Sequence, residues 1–224
     1  MIQGGLLDQL LPTWLGGADT FTDPPDAALL PEEEPLVARA VDKRRREVTT
    51  TRSCARRALA DLGVDPVAIP RGERGEPVWP DGIVGSMTHC TGYRAAVVAH
   101  ARDAATVGID AEPHDKLPDG VLDVVALPEE TEHLKQVSTM DTSVHWDRIL
   151  FSCKESVYKA WFPVAREWLG FEDAQLTFDP QQRTFRAQLR KPGPQVDDAA
   201  LDSFDGSWIV HDGLLVTGIV RARG

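Results

Sequence analysis

A chain of 224 residues, 42% hydrophobic and with six tryptophans, can bury a globular core as one domain or two small ones, which excludes a disordered protein. Its net charge of −11 and pI near 5 argue against a nucleic-acid binder and against a protein lying on a membrane surface. No apolar run approaches the roughly 20 residues that span a bilayer. The three cysteines, Cys54, Cys90 and Cys153, are odd in number and lack a C-x-x-C pair, so free thiols in a reducing cytoplasm are expected and zinc is not.

The first twelve residues lack the basic region and small-residue cleavage site of a signal peptide and read as a short amphipathic element that packs. Residues 18–35, with Asp23-Pro24-Pro25-Asp26, read as a loop, and a helix is expected to begin over 32–40 behind Pro31. A helical stretch over 46–62 stops at Gly63, with Val48, Ala55, Ala58, Leu59 and Leu62 partly at helical spacing. Around its start, Lys43, Arg44, Arg45, Arg46, Arg52, Arg56 and Arg57 stand against Glu47 alone. Such a patch on an acidic protein points to a small polyanionic ligand. Arg44, Arg45 and Arg52 are the expected phosphate contacts, and Arg56 and Arg57 the surface residues. The plain alternative is a solvated helix face.

After a Pro/Gly/charge-rich loop at 69–82, a short strand is expected at 83–88 and an apolar strand at 93–99. A turn at 101–104 would let 106–110 pair back on it. A helical region covers 121–137, and a polar loop runs to Thr142. A strong helix extends from about Val144 to Phe162 and is halted by Pro163. Hairpins 175–178/184–189 and 208–210/214–220 close the chain, the second about His211-Asp212-Gly213, with a loop at 191–199 between them. Helix first, then antiparallel strands, is the order in both halves. It predicts an α+β architecture of two pseudo-symmetric lobes, 1–103 and 104–224, each with antiparallel strands packed on helices.

Two acidic clusters carry the chemistry. In a strand, Asp110 and Glu112 point to one face. In a helix, Glu155 and Lys159 share a face one turn apart. Three carboxylates and an ammonium that converge would make a site for a hard divalent cation and a phosphate-bearing substrate. Each cluster alone also has a duller reading: a solvated strand end, and an exposed ion pair worth a few tenths of a kcal/mol. The glycine-flanked run from Gly85 to Gly92 reads as a turn whose backbone and hydroxyls approach a phosphate. His89 in it is a phosphate partner, a base or a structural turn residue. A His89–Cys90 nucleophile pair is disfavoured, because adjacent strand residues face opposite ways.

Taken together, Gly75-Glu76-Pro77-Val78-Trp79-Pro80, Gly85-Ser86-Met87-Thr88-His89-Cys90, Val107-Gly108-Ile109-Asp110-Ala111-Glu112 and Phe151-Ser152-Cys153-Lys154-Glu155-Ser156-Val157-Tyr158-Lys159-Ala160 resemble the 4′-phosphopantetheinyl transferase superfamily. The match is to its larger, monomeric, pseudo-dimeric type, the enterobactin-synthase component D branch and actinobacterial relatives. The resemblance implies that Asp110, Glu112 and Glu155 bind Mg²⁺ (or Mn²⁺) against the pyrophosphate of coenzyme A. It implies that Thr88 and Lys159 contact that pyrophosphate. His89, Arg44 and Arg52 would hold the 3′-phosphate, with Ser53 assisting. Glu155 would be the base for the acceptor serine of an acyl or peptidyl carrier protein of fatty-acid, polyketide or nonribosomal-peptide synthesis, and 3′,5′-ADP would leave. The chain departs from the family at Glu76, where many members have lysine. A carboxylate cannot hold a phosphate, so Arg74, or Arg71, is the candidate substitute.

Two other functions use the same residues: a metal-dependent phosphohydrolase on a nucleotide or CoA-like substrate, and a catalytically silent module that binds CoA or a carrier protein.

Overall fold

The computed structural model describes residues 5–224; the first four residues of the expected opening element lie outside them. The rest of that element is α1 (Leu6–Leu10), whose Leu6 and Leu7 are buried. It leads into β1 (Gly16–Thr20), a 3₁₀ turn (Pro31–Val37) and α2 (Asp42–Asp61). Next come β2 (Ile83–Cys90), β3 (Tyr93–His100) and β4 (Ala104–Pro113). Three helices follow: α3 (Val121–Val125), α4 (Pro128–Met140) and α5 (Trp146–Ala165). Strands β5 (Ala174–Asp179) and β6 (Thr184–Leu189) form one hairpin, and β7 (Gln195–Val196) and β8 (Ala199–Ala200) a short ribbon. The last hairpin is β9 (Ser203–His211) and β10 (Leu214–Ala222), turning at Asp212 and Gly213, both with positive φ. No described helix is long and apolar enough to cross a membrane.

The strands make two antiparallel sheets, β1-β3-β2 and β4-β10-β9-β6-β5. On the first, α2 packs Cys54, Ala55, Ala58 and Leu59 against Ala18, Ala96 and Val98. On the second, α5 packs Cys153, Val157 and Ala160 into a core with Leu215 and Ile219. A third cluster joins the sheets through Tyr93, Val97, Ile109 and Val216.

The expected pairing of 106–110 with the preceding strand does not form. Both edges of β3 are taken, by β1 and β2. Strand β4 pairs instead with β10. It meets β2 only through side chains: Ser86 Oγ accepts from Ile109 N–H at 3.0 Å and Thr88 Oγ1 from Ala111 N–H at 3.0 Å. Strand β1 runs three residues into the expected 18–35 loop: Gly-Gly-Ala-Asp-Thr has little strand propensity, and its pairing with β3 overrides that. Helix α2 starts four residues before the expected 46. The region 121–137 breaks into α3 and α4, since Pro128 biases Leu127 to extended backbone, ψ 155°. Strand β2 runs through the expected turn to Cys90, leaving Thr91-Gly92 to reverse the chain. Pro163 does not end α5. The buried Trp161 and Phe162 hold the last turn, and Arg166 N–H donates to the Phe162 carbonyl at 2.9 Å.

Gly108 sets how close α5 lies to β4. A Cβ there would come within 2.2 Å of the Ser156 carbonyl oxygen and 2.8 Å of Ala160 N. Both atoms are backbone and cannot swing aside. Gly108→Ala is therefore expected to push the helix off the strand and to cost about 1–3 kcal/mol, read as a lower urea midpoint at unchanged m-value. A midpoint equal to wild type would mean that the contact is not the one limiting the approach.

Candidate active site

A cleft of about 620 Å³ opens between α2, the 71–79 loop, β2 and the second half of α5. Its wall carries Arg44 and Arg52 from α2, Arg71 and Arg74 from the loop, His89 from β2, Lys159 from α5, and Arg166 just beyond it. The acids on that wall are Glu76 and Glu155. In a chain of net charge −11 this concentration of cations is suited to phosphate groups.

Helical spacing sorts the basic run. Arg44, Val48, Thr51 and Arg52 share the cleft face of α2. Arg45 lies off it and bonds Glu34 at 3.0 Å, so the expectation for Arg45 is not met. Ser53, one residue past Arg52 and so turned about 100° around the helix, is not on the cleft wall either. Arg56, expected at the surface, is instead held by the buried Glu33, at 2.8 and 3.0 Å to its two carboxylate oxygens.

His89 and Arg44 touch through Nε2 and Nη1, and Glu47 Oε2 lies 3.4 Å from each. Burial first, and Arg44 second, push His89 down to about 4, so the ring is neutral at pH 7. Because the unfolded ring takes its proton near 6.5, the folded state is favoured by this group above pH 6.5. That advantage is lost as pH falls toward 4. His89→Gln should flatten the pH dependence of thermal stability across that window; an unchanged slope would place the acid sensitivity elsewhere.

The carboxylate centre adjoins the cleft. Asp110 is buried, and its Oδ1 accepts from Lys159 Nζ at 2.8 Å and Thr88 Oγ1 at 3.3 Å. Its Oδ2 accepts from Ser152 Oγ at 2.8 Å. Lys159 also donates to the Ile109 carbonyl at 3.0 Å. Glu112 accepts from Arg148 Nη1 at 3.0 Å. Burial, then the neighbouring Asp110, raises both Glu112 and Glu155 above the usual carboxylate range.

Among the described residues no three His, Cys, Asp or Glu side chains are grouped so that they alone could hold a metal ion. Burial and then Asp110 nevertheless raise the proton affinity of both Glu112 and Glu155, and the donors of all three carboxylates are hard oxygens. This set fits Mg²⁺, which takes one or two protein carboxylates and completes its shell with water and substrate oxygens. It does not fit an ion held by protein alone.

Thr88 is buried, and its hydroxyl is spent between Asp110 and Ala111 N–H. It orients Asp110 rather than facing the cleft, contrary to expectation. Lys154, next to Glu155, is buried as well. Its Nζ donates to the Phe171 carbonyl at 2.6 Å and the Ala174 carbonyl at 3.1 Å, and pairs with Glu130 Oε2 at 2.8 Å. Arg148, Ser152 and Arg166 were not among the expected site residues. Arg148 and Ser152 were findable, since 148, 152, 155 and 159 fall on one helix face. Glu76 accepts from Arg74 N–H at 3.0 Å and lies 3.5 Å from Arg166 Nη1, so it organises cations instead of holding an anion. A second, mostly apolar cavity of about 150 Å³ shares Glu155 and Tyr158 with the cleft and is walled by Trp168, Leu169 and Phe171.

The site thus offers cations for several phosphates, a buried acidic centre, and a partly buried carboxylate where the two meet. Comparison with known proteins identifies the family. The family model described as the 4′-phosphopantetheinyl transferase N-terminal domain matches residues 32–99, and that of the 4′-phosphopantetheinyl transferase superfamily matches residues 106–207. The chain is 52% identical over 220 residues to the 4′-phosphopantetheinyl transferase Svp of Streptomyces mobaraensis, covering 97% of this chain and 89% of the relative. It is 49% identical over 225 residues to Npt of Nocardia iowensis, covering 97% and 100%. It is 48% identical over 228 residues to PptT of Mycobacterium tuberculosis, covering 98% and 100%. The chain belongs to the 4′-phosphopantetheinyl transferase superfamily and is an enzyme of that transfer reaction.

Proposed function

We propose that the enzyme moves 4′-phosphopantetheine from coenzyme A to a serine of an acyl or peptidyl carrier protein, in a Mg²⁺-dependent reaction that releases 3′,5′-ADP. The observation that carries this reading is that Glu155 and Lys159 lie on the wall of the cationic cleft while Lys159 Nζ bonds Asp110 at 2.8 Å. Phosphate binding and carboxylate chemistry therefore meet on one helix.

Arg44, Arg52 and His89 hold the 3′-phosphate in this reading, and Lys159, with Arg71 and Arg74 as substitutes for the family lysine, the pyrophosphate. The apolar cavity beside Tyr158 accommodates the pantetheine arm. Asp110, Glu112 and Glu155 would hold the metal ion, which when bound neutralises charge developing on the pyrophosphate. Glu155 takes the proton of the acceptor serine, and its raised proton affinity suits it to that task near neutral pH. The serine oxygen then bonds to the phosphorus that carries pantetheine, and the bond from that phosphorus to 3′,5′-ADP breaks. Lys159 and the arginines stabilise the charge left on the nucleotide. Thr88 and Ser152 fix the carboxylate of Asp110. The lobes remain 1–103 and 104–224, and the enzyme acts as a monomer.

The carrier protein is assigned to the 113–142 segment, which runs between the two halves of the carboxylate centre. Val125 is buried and belongs to the core, whereas Val124 is 75% exposed and Leu122 is half-buried. Val124→Asp is expected to raise KM for the carrier about tenfold, as for loss of an interface anchor, with KM for CoA unchanged; an unaltered carrier KM would move the docking surface elsewhere. The reaction itself is tested by following 3′,5′-ADP with and without apo carrier protein. Release only when the acceptor serine is present supports transfer. Release without it makes the enzyme a hydrolase.

A further inference from the structure

Glu33 is fully buried, lies outside the cleft, and takes no part in the chemistry proposed above. Its side chain nevertheless ties together three segments. Oε2 accepts from Leu30 N–H at 2.9 Å, at the start of the 3₁₀ turn. Oε1 accepts from Ile69 N–H at 2.9 Å, at the base of the loop that carries Arg71 and Arg74. Both oxygens accept from Arg56 Nη1 on α2. From Ile69 the connection continues to the cleft, because the Ile69 carbonyl accepts from Arg52 Nε at 3.0 Å. Glu33 Oε1 is itself 4.0 Å from that Nε.

This geometry has two consequences for the cleft. Fixing Nε on the Ile69 carbonyl aims the guanidinium of Arg52; among the described residues Nε is its only donor in a hydrogen bond. Fixing Ile69 also fixes the root of the small hairpin closed by Val78 N–H to the Pro70 carbonyl and Gly72 N–H to the Glu76 carbonyl, which presents Arg71 and Arg74. The negative charge of Glu33 offsets that of Arg52 and Arg56, two like charges placed on adjacent turns of one helix.

We propose that Glu33 is a positioning residue for phosphate recognition: it sets Arg52 through the Ile69 peptide and anchors the loop bearing Arg71 and Arg74. The proposal rests on reading the cleft as the CoA site. Glu33→Gln keeps the side-chain shape and a carbonyl acceptor but removes the charge. It should raise KM for CoA about tenfold, the scale of a charged hydrogen bond lost, with kcat and KM for the carrier within about twofold. A merely structural role would lower the active fraction and kcat while leaving KM for CoA alone, and that result overturns the proposal. Arg52→Gln is the control. If it leaves KM for CoA unchanged, the reading of the cleft fails. If it raises KM and Glu33→Gln does not, this proposal alone fails. The double variant should raise KM by less than the product of the single effects; a full product overturns the coupling. Should Glu33→Gln not fold, Glu33→Asp, which keeps the charge but shortens the reach, serves in its place. A KM for CoA raised about threefold or more supports the proposal, and a wild-type KM overturns it.

Discussion

Glu155→Gln is expected to lower kcat by about 10³-fold, within the range that removal of a positioned general base produces, while CoA still binds. Glutamine keeps the size of the side chain, and the cations of the cleft are untouched, so Kd for CoA should stay within about threefold. The change removes the group that accepts the serine proton. It also removes a carboxylate that, behind burial and Asp110, raises Glu112. Single-turnover transfer to apo carrier protein, with CoA binding measured separately, separates the two steps. A kcat within tenfold of wild type would show that the serine loses its proton elsewhere. A parallel loss of CoA binding would show that Glu155 acts in the ground state.

The second large effect is on stability. Lys154→Met leaves Glu130 charged and buried with, among the described residues, only the N–H groups of Leu127 and Leu176 as partners, at 2.8 and 2.7 Å. Breaking a buried ion pair from one side costs about 3–5 kcal/mol, which for a domain of this size is a fall in Tm of roughly 10 °C. The pair joins α4, α5 and the 171–174 segment, which walls the apolar cavity, so the loss would spread from the core toward the site. Adding Glu130→Gln should recover most of it, since the uncompensated charge, not the missing contact, is the main cost. A single variant as stable as wild type, by chemical denaturation, would mean that the pair contributes nothing net.

The meeting of Asp110 with Lys159 was legible in the sequence because it depends on two local periods. Alternation in a strand places Asp110 and Glu112 together, and the helical turn places Glu155 and Lys159 together. Gly108 then supplies the close approach that brings the two elements into contact. The same alternation rule separates His89 from Thr88. Applied to β2 as a continuous strand, it would have turned Thr88 away from the cleft; reading residues 85–92 as a turn hid that. Partners distant in sequence were not legible. Nothing in Gly-Gly-Ala-Asp-Thr marks β1 as the strand that occupies β3 and sends β4 to β10. Nor does composition distinguish Glu33, buried against Arg56, from the acids beside it, Glu32 and Glu34, which are exposed. The burial of Lys154 was hidden for the same reason. Its partner Glu130 lies on another helix, and a lysine beside a glutamate reads as surface until that helix is in place.

One site, in the function proposed here, binds CoA and passes its phosphopantetheine to a protein serine with a metal's help. Intact-mass spectrometry of an apo carrier protein, incubated with this enzyme, CoA and MgCl₂ and repeated with EDTA, tests all of it together. The expected result is a phosphopantetheine-sized mass gain on the carrier that EDTA abolishes. CoA consumed with no gain on the carrier, or a gain indifferent to EDTA, would contradict it.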